Sequence, residues 1–274
     1  MIKVLAGAIK HPVNRTQEEF HRYWIERHGP LFSKTPELRR YVQHHSLPEA
    51  YSGTPTPNLH GASMFWYDDL DVMRSVQPSP RLSEAITPAD GVIYEHYVAA
   101  KRYGDPDQMT LRDTVMADDR QLFDRTPDWP LHGKRTSIVA EERIIVDGQT
   151  TPGMVKVIWA FSRKAGLTLE EFEQHWYEVH GMQLGAKLPG IRRYVQNHSV
   201  PEVYGLRPMT HDGWSEAWWD DLESLHRSRE SDEWKRLSED GQTLFTYPMA
   251  VVVARETIQK EFSTRADARS AVPA

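Results

Sequence analysis

Displaced by 152 residues, the sequence falls on itself: Phe20 meets Phe172, Trp24 meets Trp176, His28 meets His180 and Gly29 meets Gly181. One residue further out of step, "RRYVQHHSLPEAY" from Arg39 matches "RRYVQNHSVPEVY" from Arg192, differing only at His44/Asn197, Leu47/Val200 and Ala50/Val203. "FWYDDL" from Phe65 pairs with "AWWDDL" from Ala217, "ADDRQLF" from Ala117 with "EDGQTLF" from Glu239, and "VAEERI" from Val139 with "VARETI" from Val253. A repeat of this length is a whole structural unit. Residues 1–148 form repeat one, 152–260 repeat two, and 261–274 a tail. The offset falls from 152 at Trp66 to 122 at Phe123 and 114 at Val139, so repeat one carries extra chain. Most of it lies near 76–109, with a smaller excess at 126–135.

Each repeat reads strand, helix, strand, strand, helix, strand. "TQEEF" and "TLEEF" each open a helix with Thr and place Glu three residues on, a capping box that satisfies free N–H groups at both ends of the turn. Phe20, Trp24 and His28 then recur at every fourth position, as do Phe172, Trp176 and His180, which puts them on one helical face. The following Gly-Pro or Gly-Met is expected to end the helix. "RYVQHHS" alternates as a strand, "DLESLHRSRESDEWKRLSED" is helical, and "SIVAEERIIV" and "MAVVVARET" are closing strands. A βαββαβ order gives an antiparallel four-stranded sheet with both helices on one face and the other face bare and apolar. Two such units in one chain can cover each other. The expected fold is α+β: two tandem βαββαβ repeats forming an intramolecular, pseudo-dimeric barrel.

Composition narrows the chemistry. Cys is absent, which removes disulfides, thiolate nucleophiles and Cys-ligated metals and fits a reducing cytoplasm. The net charge of -6 comes without a basic block, so neither nucleic acid nor an anionic membrane is the expected partner, and a small molecule is. The short apolar start "MIKVLAGAIK" matches an internal strand and is read as a strand, not a leader. Thirteen histidines invite a metal reading, yet no H-x-x-x-H pair sets two ligands on one α-helical face: His175 and His180 are five apart. G-x-G-x-x-G, P-loop and G-x-S-x-G motifs are absent as well.

"EEFHRYWIERHGPL", "YVQHHS", "FWYDDL" and "ADDRQLF" resemble the EthD family of the dimeric α+β-barrel, ferredoxin-like superfamily, over nearly the whole chain. The resemblance implies two EthD-like domains. It implies a reaction less closely, since relatives in that superfamily include cofactor-free monooxygenases, isomerases, cyclases, dehydratases, decarboxylases and haem enzymes. Met182 replaces the motif proline, and Asn197 replaces the first His of "QHH" in repeat two.

On the second strand Tyr41, Gln43 and His45 share one face and His44 the other; Tyr194, Gln196 and His198 repeat the arrangement. If that face meets the first helix, His28, Tyr41 and His45 cluster, as do His180, Tyr194 and His198. These six are the candidate catalytic residues, a base and an acid suited to work near neutral pH. Helix-end positions for His28 and His180 favour imidazolium, and capping the last carbonyls is their structural alternative. Phe20, Trp24, Trp66, Phe172, Trp176, Trp218, Gln43 and Gln196 are the candidate substrate-binding residues, with core packing the rival reading for the aromatic ones. Asp68-Asp69 and Asp220-Asp221 are read as helix starts. Asp118 and Asp240 are read as solvent-facing, with a carboxylate that orients a histidine as the second reading.

The sequence therefore points to a small-molecule enzyme using acid–base histidines without metal or cofactor, a lyase or isomerase acting on an apolar cyclic or aromatic substrate by dehydration, decarboxylation or enolisation. The alternatives are a cofactor-free monooxygenase, a haem-binding oxidoreductase, and a non-catalytic ligand-binding protein. Homo-oligomerisation stays open.

Overall fold

The computed structural model describes residues 1–8, 15–51, 59–76, 138–204 and 211–262. The expected insertion beyond Val76, the excess at 126–135, Asp118 and the tail beyond Phe262 lie outside them.

Eight strands are described: β1 (Ile2–Ala8), β2 (Arg40–Ser46), β3 (Gly61–Tyr67), β4 (Ile138–Val146), β5 (Val155–Phe161), β6 (Arg193–Ser199), β7 (Gly213–Trp219) and β8 (Ala250–Lys260). They close into an antiparallel barrel in the order β1-β3-β2-β8-β5-β7-β6-β4. Each repeat supplies a four-stranded sheet, and the halves do more than lay faces together. Their edges pair at two seams, β2 with β8 and β4 with β6, so every edge strand has a partner.

Alternation along the strands sorts side chains to the two faces. Ala62, Met64 and Trp66 of β3 pack inside the barrel with Leu5, Val42, Ile158, Trp214 and Val252. Phe65 and Tyr67 face outward, packing with Tyr41, Leu38 and Met73. Charge is buried inside too. Lys3 pairs with Glu142 at 2.6 Å and with Glu216; Lys156 pairs with Glu216 at 2.5 Å and Glu256 at 2.9 Å. Asn197 and the Trp214 indole each donate to Glu216 at 2.9 Å. Burial alone would raise the Glu216 carboxyl, but Lys156 and Lys3 outweigh it and hold it well below the usual range. His44 projects into the same interior, accepting from Lys156 Nζ at 2.8 Å.

Helix α1 (Gln17–Tyr23) opens on the Thr16/Glu19 capping box, and α4 (Leu169–His175) on the Thr168/Glu171 box. The short helices α2 (Gly29–Phe32) and α3 (Leu70–Val76) belong to repeat one, and α5 (Pro201–Tyr204), α6 (Leu222–Arg229) and α7 (Asp232–Leu244) to repeat two. Two expectations need correcting. The stretch read as one helix is two, because Ser231 caps α7, accepting from Trp234 N at 3.1 Å. His-Gly does not end the first helix of either repeat. α1 continues through a π-helical turn, Trp24–His28, into α2, and α4 runs into a longer one, Trp176–Leu184. Wide winding lets Pro30 pass. The carbonyl of Ile25, which a residue at 30 would meet in π register, accepts from Gln259 Nε2 at 3.1 Å instead. Among the described residues no helix is long and apolar enough to cross a membrane.

Candidate functional site

The π turns are held from the sheet. Gln196 Nε2 donates to the Trp176 carbonyl at 2.7 Å and to the Tyr194 hydroxyl at 3.2 Å, while its Oε1 accepts from His198 Nε2 at 3.2 Å. Gln43 repeats this, donating to Trp24 O at 2.9 Å and Tyr41 Oη at 3.0 Å and accepting from His45 at 3.0 Å. This explains the glycine after each histidine. A Cβ on Gly181 would lie 2.5 Å from Gln196 Nε2, and one on Gly29 would lie 2.6 Å from Gln43 Nε2. The glutamine can reach the helix backbone only over a glycine.

Above the outer face of repeat two lies a cavity of about 510 Å³ between sheet, π turn and α7. Trp159, Phe161, Trp234, Leu237, Phe245 and Met249 make most of its wall; Ser215, Ser238, Gln242 and Tyr247 add polar points. His180 and Tyr194 line it together, and no Lys, Arg, Asp or Glu is among the lining residues. His180 Nδ1 lies 2.8 Å from Asp240 Oδ2, brought by α7. The carboxylate accepts the Nδ1 proton and leaves Nε2 as the basic nitrogen. Burial lowers the His180 pKa below its ordinary value, against the opposing pull of Asp240. Burial therefore favours the neutral ring over the imidazolium expected from a helix end; His180 lies inside the π turn rather than at the end of its own helix. Burial raises the Tyr194 phenol, which stays a hydrogen-bond donor at neutral pH, with Ser215 Oγ 3.5 Å away.

The other candidates fall elsewhere. His198 is one glutamine removed from Tyr194, packed on Trp176 at 4.2 Å between ring centroids, and burial holds it neutral. His45 sits likewise against Trp24 at 4.8 Å. Phe20, Trp24, Phe172 and Trp176 are fully buried core and expose no wall. Trp66 and Trp218 are a correction: both face the barrel interior, under the Lys3 and Lys156 ammonium groups at 4.7 and 4.3 Å. Strand register decides this, since Trp66 is level with Arg40 and Phe65 with Tyr41. Asp69 and Asp221 do start helices, whereas Asp68 and Asp220 pair with Arg39 and Arg192.

Asp240 is also a correction, because it is partly buried and shared by His180 and His175. Its signal was the Asp repeated in "ADDRQLF" and "EDGQTLF". In repeat one His28 is buried, 5.9 Å from the Phe32 ring, and Tyr41 stacks on Phe65 at 4.8 Å. The segment matching α7 in sequence lies outside the described residues. Among the described residues no three His, Asp or Glu side chains gather as a metal site.

The EthD domain family model matches the chain twice, over residues 14–93 and 164–246. No curated protein matches it significantly. Among solved structures, an anthrone oxidase-like protein is 12% identical with a TM-score of 0.51, the alignment covering 96% of this chain and 95% of that one. An ethyl tert-butyl ether D (EthD) family protein from Bacillus halodurans C-125 is 23% identical over 38% of this chain and 99% of its own, with a TM-score of 0.32. The first of these likenesses is one of fold. Matched over more than half of its length in two segments, the chain belongs to the EthD domain family.

Proposed function

We propose that the repeat-two cavity takes an uncharged cyclic or aromatic molecule and removes a proton from a carbon next to its carbonyl, with His180 as general base and the Tyr194 hydroxyl donating to the resulting oxyanion. The observation that carries this is the His180–Asp240 pair: a buried, neutral imidazole whose Nδ1 is occupied and whose remaining nitrogen belongs to an otherwise uncharged cavity. An enolate so formed reprotonates at another carbon or expels a leaving group, which is isomerase or lyase chemistry. His28 and Tyr41 are the corresponding base and donor of repeat one; His45 and His198 act through the glutamines that hold each tyrosine.

The second reading, a monooxygenase without cofactor, shares the first step and differs in the fate of the carbanion, which reacts with dioxygen. The solved structure named for an anthrone oxidase-like protein makes that test worth running. The lining offers no Lys or Arg to meet two propionates, which weighs against the haem reading.

Uncharged ring ketones, 2-tetralone first, are incubated with the protein in D2O, and deuterium uptake next to the carbonyl is followed by NMR. His180→Ala is expected to slow uptake about 100-fold, the scale of general base catalysis. Equal rates in the variant would leave a ligand-binding protein. Comparing aerobic with anaerobic turnover separates the two enzymatic readings.

A further inference from the structure

Asp240 serves two histidines at once. Its Oδ2 meets His180 Nδ1 at 2.8 Å and its Oδ1 meets His175 Nε2 at 2.8 Å. In an α-helix, residues five apart diverge around the axis; the wider π winding from Trp176 brings His175 and His180 to one carboxylate. The two rings differ in surroundings. The His180 side chain is 9% exposed and faces the cavity, whereas that of His175 is 40% exposed and reaches water. The corresponding residue in repeat one is Tyr23, so this His-Asp-His arrangement belongs to repeat two alone among the duplicated elements.

We infer that His175 is a positioning residue that trades protons with the buried base. It holds Asp240 in place and gives up a proton to solvent when His180 takes one from substrate. The step balances. Before it, His175 carries two ring protons, Asp240 is a carboxylate and His180 is neutral. The substrate C–H breaks, its proton bonds to His180 Nε2, and its electron pair stays on the substrate as an enolate. His175 then releases its Nδ1 proton to water, and Asp240 remains a carboxylate between one neutral and one charged imidazole. One proton has entered and one has left, so the triad keeps a constant charge while its buried member, His180, becomes charged beside an apolar cavity where an uncompensated change would be costly. The titratable groups around His180 are Asp240 from α7, His175 on its own helix, Tyr194 from β6 and Tyr247, which lines the same cavity after α7. Repulsion from His175 is among the causes that lower the His180 pKa.

This rests on His180 being the base, and the test keeps the two ideas separable. Histidine-labelled protein is titrated by 15N NMR, with His180→Ala and His175→Gln assigning the two rings. In the unmodified protein each ring is expected to show a two-step curve that reports the other's proton. His175→Gln should raise the His180 midpoint by about one pH unit, and His175→Lys, which restores a positive charge, should bring it back. The low-pH limb of 2-tetralone deuteration should move with it. Single-step curves in the unmodified protein, or a midpoint that His175→Gln leaves in place, would overturn the exchange. If the midpoints shift while His180→Ala still deuterates the probe at the full rate, the coupling stands and the base assignment fails.

Discussion

A side chain's role here depends on which of two faces its strand register gives it. Tyr194 and Ser215 look out to the cavity; Asn197, three residues on from Tyr194, and Glu216, one on from Ser215, look into the barrel. The alternation was legible in "RYVQNHS", and so was the shared face of Tyr194, Gln196 and His198. It could not say that Trp218 faces inward, because that follows from pairing Trp218 with Arg193 across strands. Asp240 was harder still, lying 60 residues from His180 on another helix. Asp240→Asn should free the His180 ring to take the wrong tautomer and lower kcat about 100-fold or more, with KM nearly unchanged. His44→Ala, on the opposite face of the sheet, should leave turnover as it is. Steady-state rates on the ketone probe check both, and a large loss in the second would mean that the barrel interior takes part.

At the scale of the element, the π turn is what distinguishes this helix from an ordinary amphipathic one. The sheet adds a side-chain donor to its first carbonyls: Trp24 O, which already takes the i+5 bond from Gly29 N–H, also accepts from Gln43, and Trp176 O accepts from Gln196. The helix start was written plainly in Thr16-Glu19 and Thr168-Glu171, since a capping box needs only residues three apart. Its continuation past His-Gly was not, because the partners that stabilise the wide turn arrive from strands. Gln196→Leu removes the side-chain donor to the Trp176 carbonyl and the acceptor of the His198 ring. The loss should be about 1–3 kcal/mol in urea unfolding, against a change within about 0.5 kcal/mol for Gln174→Leu on the exposed face. A Gln196→Leu protein of unchanged stability would show that the turn stands without the glutamine.

The whole molecule is a barrel whose interior holds an ionic network, and its stability should be sensitive to acid for a definite reason. Burial first, and the Lys156 charge second, bring His44 down to about 4. Below pH 6.5 the unfolded chain binds a proton at this residue that the folded chain refuses, so stability is present above 6.5 and falls as the pH drops toward 4. The loss is about 1.4 kcal/mol per pH unit for each such histidine. His44→Asn, which installs the residue found at 197, should therefore make the urea midpoint less dependent on pH between 6.5 and 4.5. An unchanged slope would assign the acid sensitivity to His45 and His198, which burial also depresses. Lys156→Met leaves Glu216 and Glu256 short of a cation and should cost about 3–5 kcal/mol.

The sequence by itself determined the duplication, the βαββαβ order, the helix starts and the sharing of faces, all of which rest on spacings of two to four residues or on the repeat read against itself. Only the tertiary structure decided which sheet face became cavity and which became barrel interior, that the halves close edge to edge, and that Asp240 joins His175 to His180. Those outcomes depend on register and contact between segments 60 to more than 200 residues apart, where no local pattern carries the energy that selects them.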